Sequence, residues 1–152
     1  MKVIFTFSAL AVVAILIFLS YYNKSESFMK SFEQAAWKQA NSTRSVIKIS
    51  EITDFKWDKF FIFSPYTPIE KIHSQIGYKW KAADKTHIDS SENFNLLVFV
   101  RGGEVIRFYR LQRSIGDFQS IEANNIFTER NDAFYVRYSP VSSNRLIFIP
   151  TN

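Results

Sequence analysis

The sequence contains no cysteine and only two histidines. The lack of cysteine excludes disulfide bonds, thiolate metal sites, a cysteine nucleophile and a lipid-modified cysteine at the end of a leader. The two histidines, His73 and His87, are too few and too far apart in the sequence to indicate a metal centre. We therefore predict no metal site and no cofactor.

Glycine and proline are also scarce, with four of each in 152 residues. This composition argues against flexible linkers, internal repeats and low-complexity segments. The sequence has neither a glycine-rich phosphate-binding loop that leads into a helix nor a Gly-x-Ser-x-Gly nucleophile motif. We predict no catalytic residues and expect a binding protein rather than an enzyme.

Apolar and aromatic residues are abundant. Hydrophobic residues make up 47% of the chain, and 16 Phe and 7 Tyr supply most of the aromatic content. A chain of this length and composition can bury one core and offset the entropy lost on folding. The formal charge of +5 is a modest excess that favours anionic neighbours such as lipid headgroups or acidic proteins.

The amino terminus carries an uncharged apolar run, Val3 to Leu19, preceded by Lys2. If it is an uncleaved anchor, the segment to Tyr22 forms about 30 Å of helix, enough to cross a bilayer. A cleavable signal peptide is the alternative, although the small residues suited to cleavage, Ser25 and Ser27, lie well beyond the run. We predict that residues 1–22 are a membrane anchor or signal segment.

Two features of the sequence disagree on which side of the membrane the domain lies. More Lys and Arg residues follow the apolar run than precede it, which by the positive-inside rule keeps the domain in the cytoplasm. A short leader before a compact domain is, however, the usual layout of an exported protein. We expect a bacterial inner-membrane protein with its domain outside the cytoplasm, or a secreted or periplasmic protein if the leader is cleaved.

The segment 23–43 is predicted to be a helical stalk or linker, or a helix that packs on the domain. Apolar residues recur from Phe28 to Ala40 at spacings of three and four, as on one face of a helix. Asn41, Ser42 and Thr43 then end the pattern. Trp37 is the largest side chain available as an anchor on the domain.

Residues 44–152 are predicted to form one α+β domain with a mostly antiparallel sheet and one short inserted helix. The helix follows from Thr67-Pro68-Ile69-Glu70, which has the pattern of a capping box, and ends at Gly77. The Gly pair in Arg101–Glu104 predicts a tight hairpin turn. The strands are expected at 45–52, 57–64, 94–100, 105–111, 133–138 and 145–149, with both strands of the 94–111 hairpin in the centre of the sheet.

A group of arginines follows the hairpin turn: Arg107, Arg110 and Arg113. They are a candidate basic patch for an acidic partner or anionic lipid. Alternation along a strand places Arg107 and Arg110 on opposite faces, and Arg113 has a possible partner in Asp117. The recognition signature of nucleic-acid-binding folds is missing, so we expect no nucleic-acid partner.

The segment Asp54 to Thr67 contains Trp-Asp-Lys, five further residues and then Pro-Tyr-Thr. Together with Leu96–Val105 and Arg113–Phe118, it resembles a group of small, uncharacterised bacterial proteins that carry an amino-terminal membrane or lipid anchor. The resemblance implies a bacterial cell-envelope setting and no established activity. Many of those proteins have a lipoprotein cysteine, which this chain lacks.

Four residues of the resembling segment form a candidate binding rim: Trp57, Asp58, Tyr66 and Thr67. We expect them near the start of the inserted helix, where free amide groups suit an anion. Packing in the core is the alternative for the large rings. The sequence thus predicts a membrane-anchored protein-interaction module, and the alternative is a domain that binds a small ligand or a cell-wall fragment.

Overall fold

The computed structural model describes residues 3–43, 45–121 and 126–151, with the backbone alone at positions 3–9, 18, 20–26 and 143. The predicted α+β class is confirmed. The helices are α1 (Val3–Ala40), α2 (Ile49–Ile52) and α3 (Ile69–Ile76), with short 3-10 helices at Asp84–Thr86 and Ile88–Ser90, and the strands are β1 (Val46–Lys48), β2 (Lys59–Phe63), β3 (Phe94–Arg101), β4 (Glu104–Gln112), β5 (Gly116–Phe118), β6 (Ala133–Ser139) and β7 (Ser142–Pro150).

The strands form two sheets rather than one. The first has the order β1-β6-β7-β5 and the second the order β2-β3-β4. All pairs are antiparallel except β5 with β7, which is parallel. The prediction of mostly antiparallel pairing is therefore confirmed.

The β3–β4 hairpin has its turn where the sequence predicts it. Gly102 and Gly103 have φ angles of +60° and +84°, which glycine adopts without steric cost. The expectation that both strands are central is wrong for β4, because β3 pairs on both sides whereas β4 is at the edge of its sheet. Residues of β3 are buried on both of its faces, as expected of a central strand, whereas most residues of β4 are exposed or half-buried.

The first predicted strand, 45–52, is shorter in the structure. β1 ends at Lys48 and the chain turns into α2. The cause is Asp132, a buried residue whose carboxylate accepts the Ser50 N–H at 2.6 Å and whose carbonyl accepts the Ile49 N–H at 3.1 Å. These acceptors hold the first turn of a helix and stop the strand.

The inserted helix α3 is confirmed, and Gly77 ends it with φ +97° while its N–H donates to the His73 carbonyl. Ile69, Ile72 and Ile76 are buried against the outer face of the β2–β4 sheet. The predicted capping box is wrong. Pro68 is the N-cap residue, and the Thr67 hydroxyl instead donates to the Ser64 carbonyl at 2.6 Å.

Helix α1 runs without a break through the predicted boundary between anchor and stalk. Its second half packs on the domain, as one of the two alternatives predicted. Phe28, Phe32 and Ala36 are buried in the core that both sheets share. At 38 residues, α1 is about 57 Å long.

Two ring contacts and one hydrogen bond fix the path of α1 over the domain. The Phe28 ring stacks on Tyr109 of β4, with centroids 4.1 Å apart. Further along α1, the Phe32 ring meets Phe148 of β7 at 5.2 Å. Asn41, just after the helix, accepts a hydrogen bond from the Tyr138 hydroxyl at 2.8 Å.

We predict that Phe32→Ala lowers the free energy of unfolding by about 3–5 kcal/mol, because it removes a fully buried ring from the shared core. Urea denaturation of the full-length protein in mild detergent, followed by tryptophan fluorescence, measures the change. The matched control is Glu33→Ala, an exposed neighbour on the same helix. Equal stability of both variants would show that α1 is a stalk and not part of the core.

Candidate functional site

The first half of α1 presents a continuous apolar surface. Every described side chain from Leu10 to Ile17 is exposed, with exposed fractions of 68% for Leu10 and 65% for Ile17, and Leu19 is 47% exposed. Residues 10–17 lie on all sides of the helix, so the side chains described in this half include no polar face. A helix that is apolar all round normally lies in a protein core or in a membrane.

Among the residues that the structure describes, no helix has an apolar stretch long enough to cross a membrane.

The predicted rim is divided between the two ends of β2. Trp57 and Asp58 precede the strand, whereas Tyr66 and Thr67 follow it. The five residues of β2 between them span about 17 Å. The structure therefore does not bring the four residues together at one site.

Trp57 lies in the core, only 5% exposed. Its indole N–H donates to the Thr53 hydroxyl at 3.0 Å, and its ring meets the Phe60 ring edge-on at 5.3 Å. Asp58 is exposed, and its carboxylate accepts the Gly102 N–H at 2.6 Å. These two residues hold the start of β2 against the hairpin turn.

The other two rim residues lie beside α3. Tyr66 is 58% exposed, with a φ of +61° that its backbone hydrogen bond to the Ile88 carbonyl helps to hold. Thr67 lines a surface depression of about 170 Å³ together with Lys71 and Gln75. Neither Trp57 nor Tyr66 lines this depression.

The predicted basic patch is also divided. Arg107 lies over the Phe55 ring on the side of the shared core, at 5.9 Å from its centroid. Arg110 lies on the opposite face, 5.2 Å above the Phe94 ring, and donates to the Lys85 carbonyl at 2.9 Å. The prediction that these two arginines occupy opposite faces is confirmed, so they do not form a single surface.

Arg113 is part of a polar network that joins the two sheets. Its guanidinium donates twice to one oxygen of Asp117, at 2.8 and 2.5 Å, and the other oxygen accepts the side-chain amide of buried Asn95 at 2.8 Å. The hydrogen bond with Asp117 raises the pKa of Arg113 above its ordinary value. The predicted Arg113–Asp117 pair is thus confirmed, and its role is structural.

A surface depression of about 430 Å³ lies beside this network. It contains carboxylate, guanidinium, amide and hydroxyl groups, so its charge does not select ligands of one sign. Its lining residues are Glu92, Asn93, Gln112, Arg113, Ser114 and Arg145.

A second apolar surface, which the sequence analysis did not predict, lies at the far end of α1. This distal surface consists of Trp37, Tyr138 and Val141. The Trp37 and Tyr138 rings are 6.2 Å apart, Tyr138 is 42% exposed, and Val141 at the β6–β7 turn is 87% exposed. Val141 could have indicated this surface from the sequence, because it is an apolar residue in a predicted loop and turns normally carry polar residues.

No protein family matches the chain, and neither a curated protein nor a solved structure resembles it significantly.

We predict that Trp57→Ala lowers the free energy of unfolding by about 3–5 kcal/mol, since it empties a buried site in the core. Tyr66→Ala is the matched comparison at the other end of β2 and should change stability by no more than about 0.5 kcal/mol. Denaturation of both variants measures the difference. If Trp57→Ala were as stable as the wild type, the core role of Trp57 would be contradicted, and Trp57 would again be a candidate binding residue.

Proposed function

We propose that the protein is a membrane-anchored interaction module of a bacterial cell envelope. The apolar half of α1 inserts into the bilayer, and the α+β domain binds a protein partner. The observation that carries this proposal is the two-part character of α1, whose first half is apolar on all described sides and exposed while its second half lies in the core.

The energetics favour a lipid environment for the first half of α1. Seven large apolar side chains between Leu10 and Leu19 are exposed. Burial of one such side chain contributes about 1.5–3 kcal/mol, so transfer of the set into hydrocarbon is favourable by about 10–20 kcal/mol. The sequence extends the run to Val3 and Tyr22, which supports a spanning rather than an interfacial position.

The proposed location is the inner membrane with the domain outside the cytoplasm. The apolar run that follows Lys2 and precedes the domain supports this setting. Release into the periplasm or the medium after leader cleavage is the alternative, and it is distinguished by the intact mass of the mature protein.

The distal surface supports a protein partner rather than a small ligand. Tyr138 and Val141 are exposed, and the ring of half-buried Trp37 lies beside Tyr138, at the carboxyl-terminal end of α1. Tyr and Trp rings at the surface are enriched in protein interfaces. Small-ligand or cell-wall-fragment binding has less support, because the proposed rim is divided and Trp57 is buried.

The anchoring is tested with Leu16→Glu, which places a charge in the apolar half of α1. We expect the wild-type chain in the membrane fraction after a carbonate wash and a large share of the variant in the wash, since a central carboxylate in a spanning helix is strongly unfavourable. Glu33→Lys, on the domain half of α1, should stay in the membrane. Wild-type protein in the wash would overturn the proposed anchoring.

The partner is tested by photo-cross-linking from position 141 in intact cells. We expect one adduct of defined mass from a benzoylphenylalanine at Val141, with its yield reduced several-fold by Tyr138→Ala. The same probe at Asp89, an exposed position on the other side of the β2–β4 sheet, should give no such adduct. Equal adducts at both positions, or none at Val141, would contradict a partner on the distal surface.

A further inference from the structure

Strand β4 is the longest edge strand in the described part of the chain. It has nine residues, whereas the other strands at sheet edges, β1, β2 and β5, have three to five. The edge of β2 is partly occupied, because Phe60 exchanges two backbone hydrogen bonds with Phe127. An edge strand presents backbone N–H and C=O groups to which another strand can bind.

The pairing within the sheet shows which backbone groups of β4 face its open side. In an antiparallel sheet, consecutive residues direct their N–H and C=O groups alternately to one neighbour and to the other. Phe60 bonds away from β3, so Phe61 bonds to its partner in β3, Val98. Val98 therefore faces β2, and the next residue, Leu97, faces β4, where its partner is Tyr109.

The residues of β4 alternate in the same way. Because Tyr109 bonds to β3, its neighbours Phe108 and Arg110 direct their N–H and C=O groups to the open side. The hydrogen bond from the Arg113 N–H to the Asn93 carbonyl, at 2.9 Å, has the parity that this assignment requires.

The outward groups of Phe108 and Arg110 have no hydrogen-bond partner within the described chain. On both sides of them the edge is closed. The Val105 N–H donates to the Tyr78 hydroxyl at 2.9 Å, and the Gln112 carbonyl accepts a backbone N–H of the following turn at 3.0 Å. The open part of the β4 edge thus offers two donors and two acceptors.

The surroundings of this open part carry a positive charge. The segment 78–85 runs beside β4, since the Trp80 ring meets the Phe108 ring at 5.2 Å and the Lys85 carbonyl accepts a hydrogen bond from the Arg110 guanidinium at 2.9 Å. β4 and this segment together have five cationic side chains and two carboxylates. The cations are Lys79, Lys81, Lys85, Arg107 and Arg110, and the carboxylates are Asp84 and Glu104.

These two features define the chemistry of an occupant. Alternating donors and acceptors at a sheet edge are matched by an extended backbone that adds to the sheet as a further strand. The positive excess favours carboxylates in that strand. A second copy of β4 is disfavoured, because it would bring two such positive surfaces together.

We propose that the β4 edge at Phe108 and Arg110 binds an extended, acidic segment of the protein partner by strand addition. This inference rests on the proposed role of the chain as a protein-interaction module and names the chemistry of the partner. It does not depend on the distal surface, which is formed by α1 and the β6–β7 hairpin.

The test uses the full-length protein in detergent micelles and a display library of eight-residue peptides. We expect the selected peptides to be rich in Asp and Glu and in β-branched residues. Arg110→Pro should weaken the binding of a selected peptide by about tenfold or more, because proline lacks the outward N–H and its ring occupies the edge. Edge strands tolerate proline where the N–H faces away from the sheet.

Arg110→Gln is the matched control, since it removes the charge and keeps the N–H. We expect it to weaken peptide binding much less than Arg110→Pro does. Equal binding by the two variants, or selected peptides without an acidic bias, would overturn the proposal.

Amide hydrogen exchange of the wild-type protein, followed by NMR, gives a second readout that does not require the proline variant to fold. In the free protein, the amides of Phe108 and Arg110 should exchange several-fold faster than that of Tyr109, which is bonded to β3. The peptide should slow exchange at these two positions. Slow exchange there in the free protein, or no change with peptide, would overturn the open edge as the binding site.

Failure of this inference can be told apart from failure of the proposed function. Peptide binding that is lost in Tyr138→Ala and retained in Arg110→Pro would overturn the β4 edge and leave the interaction module intact. A peptide-free dimer that Arg110→Pro dissociates would identify a second copy as the occupant and overturn the acidic partner segment. The absence of any selected peptide would overturn the edge site, while cross-linking from Val141 still decides on the distal surface.

Discussion

The fold depends on the rings that α1 inserts into the core between its two sheets. Phe28 and Phe32 contact one strand from each sheet, Tyr109 of β4 and Phe148 of β7. The two sheets meet through side chains, namely the packed rings of the shared core and the hydrogen bond from Asn95 of β3 to Asp117 of β5. The second half of α1 therefore belongs to the domain as fully as any strand, and the orientation of its first half is fixed by the same contacts.

The core itself is built from aromatic rings packed edge-on and stacked. Phe60, Phe99 and Phe127 form one stacked series, with centroids 5.0 and 5.2 Å apart. Such rings bury a large area per residue, which suits a chain without disulfides. At Gly116, the Phe148 ring occupies the space that a side chain would need, so only glycine fits at that position.

Local signals in the sequence were sufficient for the hairpin at Gly102 and Gly103, for the body of α3 and for the β6–β7 pair. Where the prediction was wrong, the cause is a contact with a residue distant in sequence. β1 ends early because Asp132, which is distant in sequence, accepts the Ser50 N–H. Trp57 and Tyr66 are far apart because β2 lies between them. The distal surface was not predicted because Trp37 and Tyr138 meet only in the folded protein. The placement of Arg107 and Arg110 on opposite faces was predicted correctly, because the alternation of side chains along a strand is a local property.

The contact of Phe32 with Phe148 joins residues that are far apart in the sequence and has a consequence for synthesis. The ribosome releases Phe32 well before Phe148, so the Phe32 side of α1 lacks this native contact until β7 has been synthesised. The closure of such long-range contacts is slow and leaves intermediates open to aggregation. The proposed membrane anchoring of α1 keeps growing chains apart from one another during this interval.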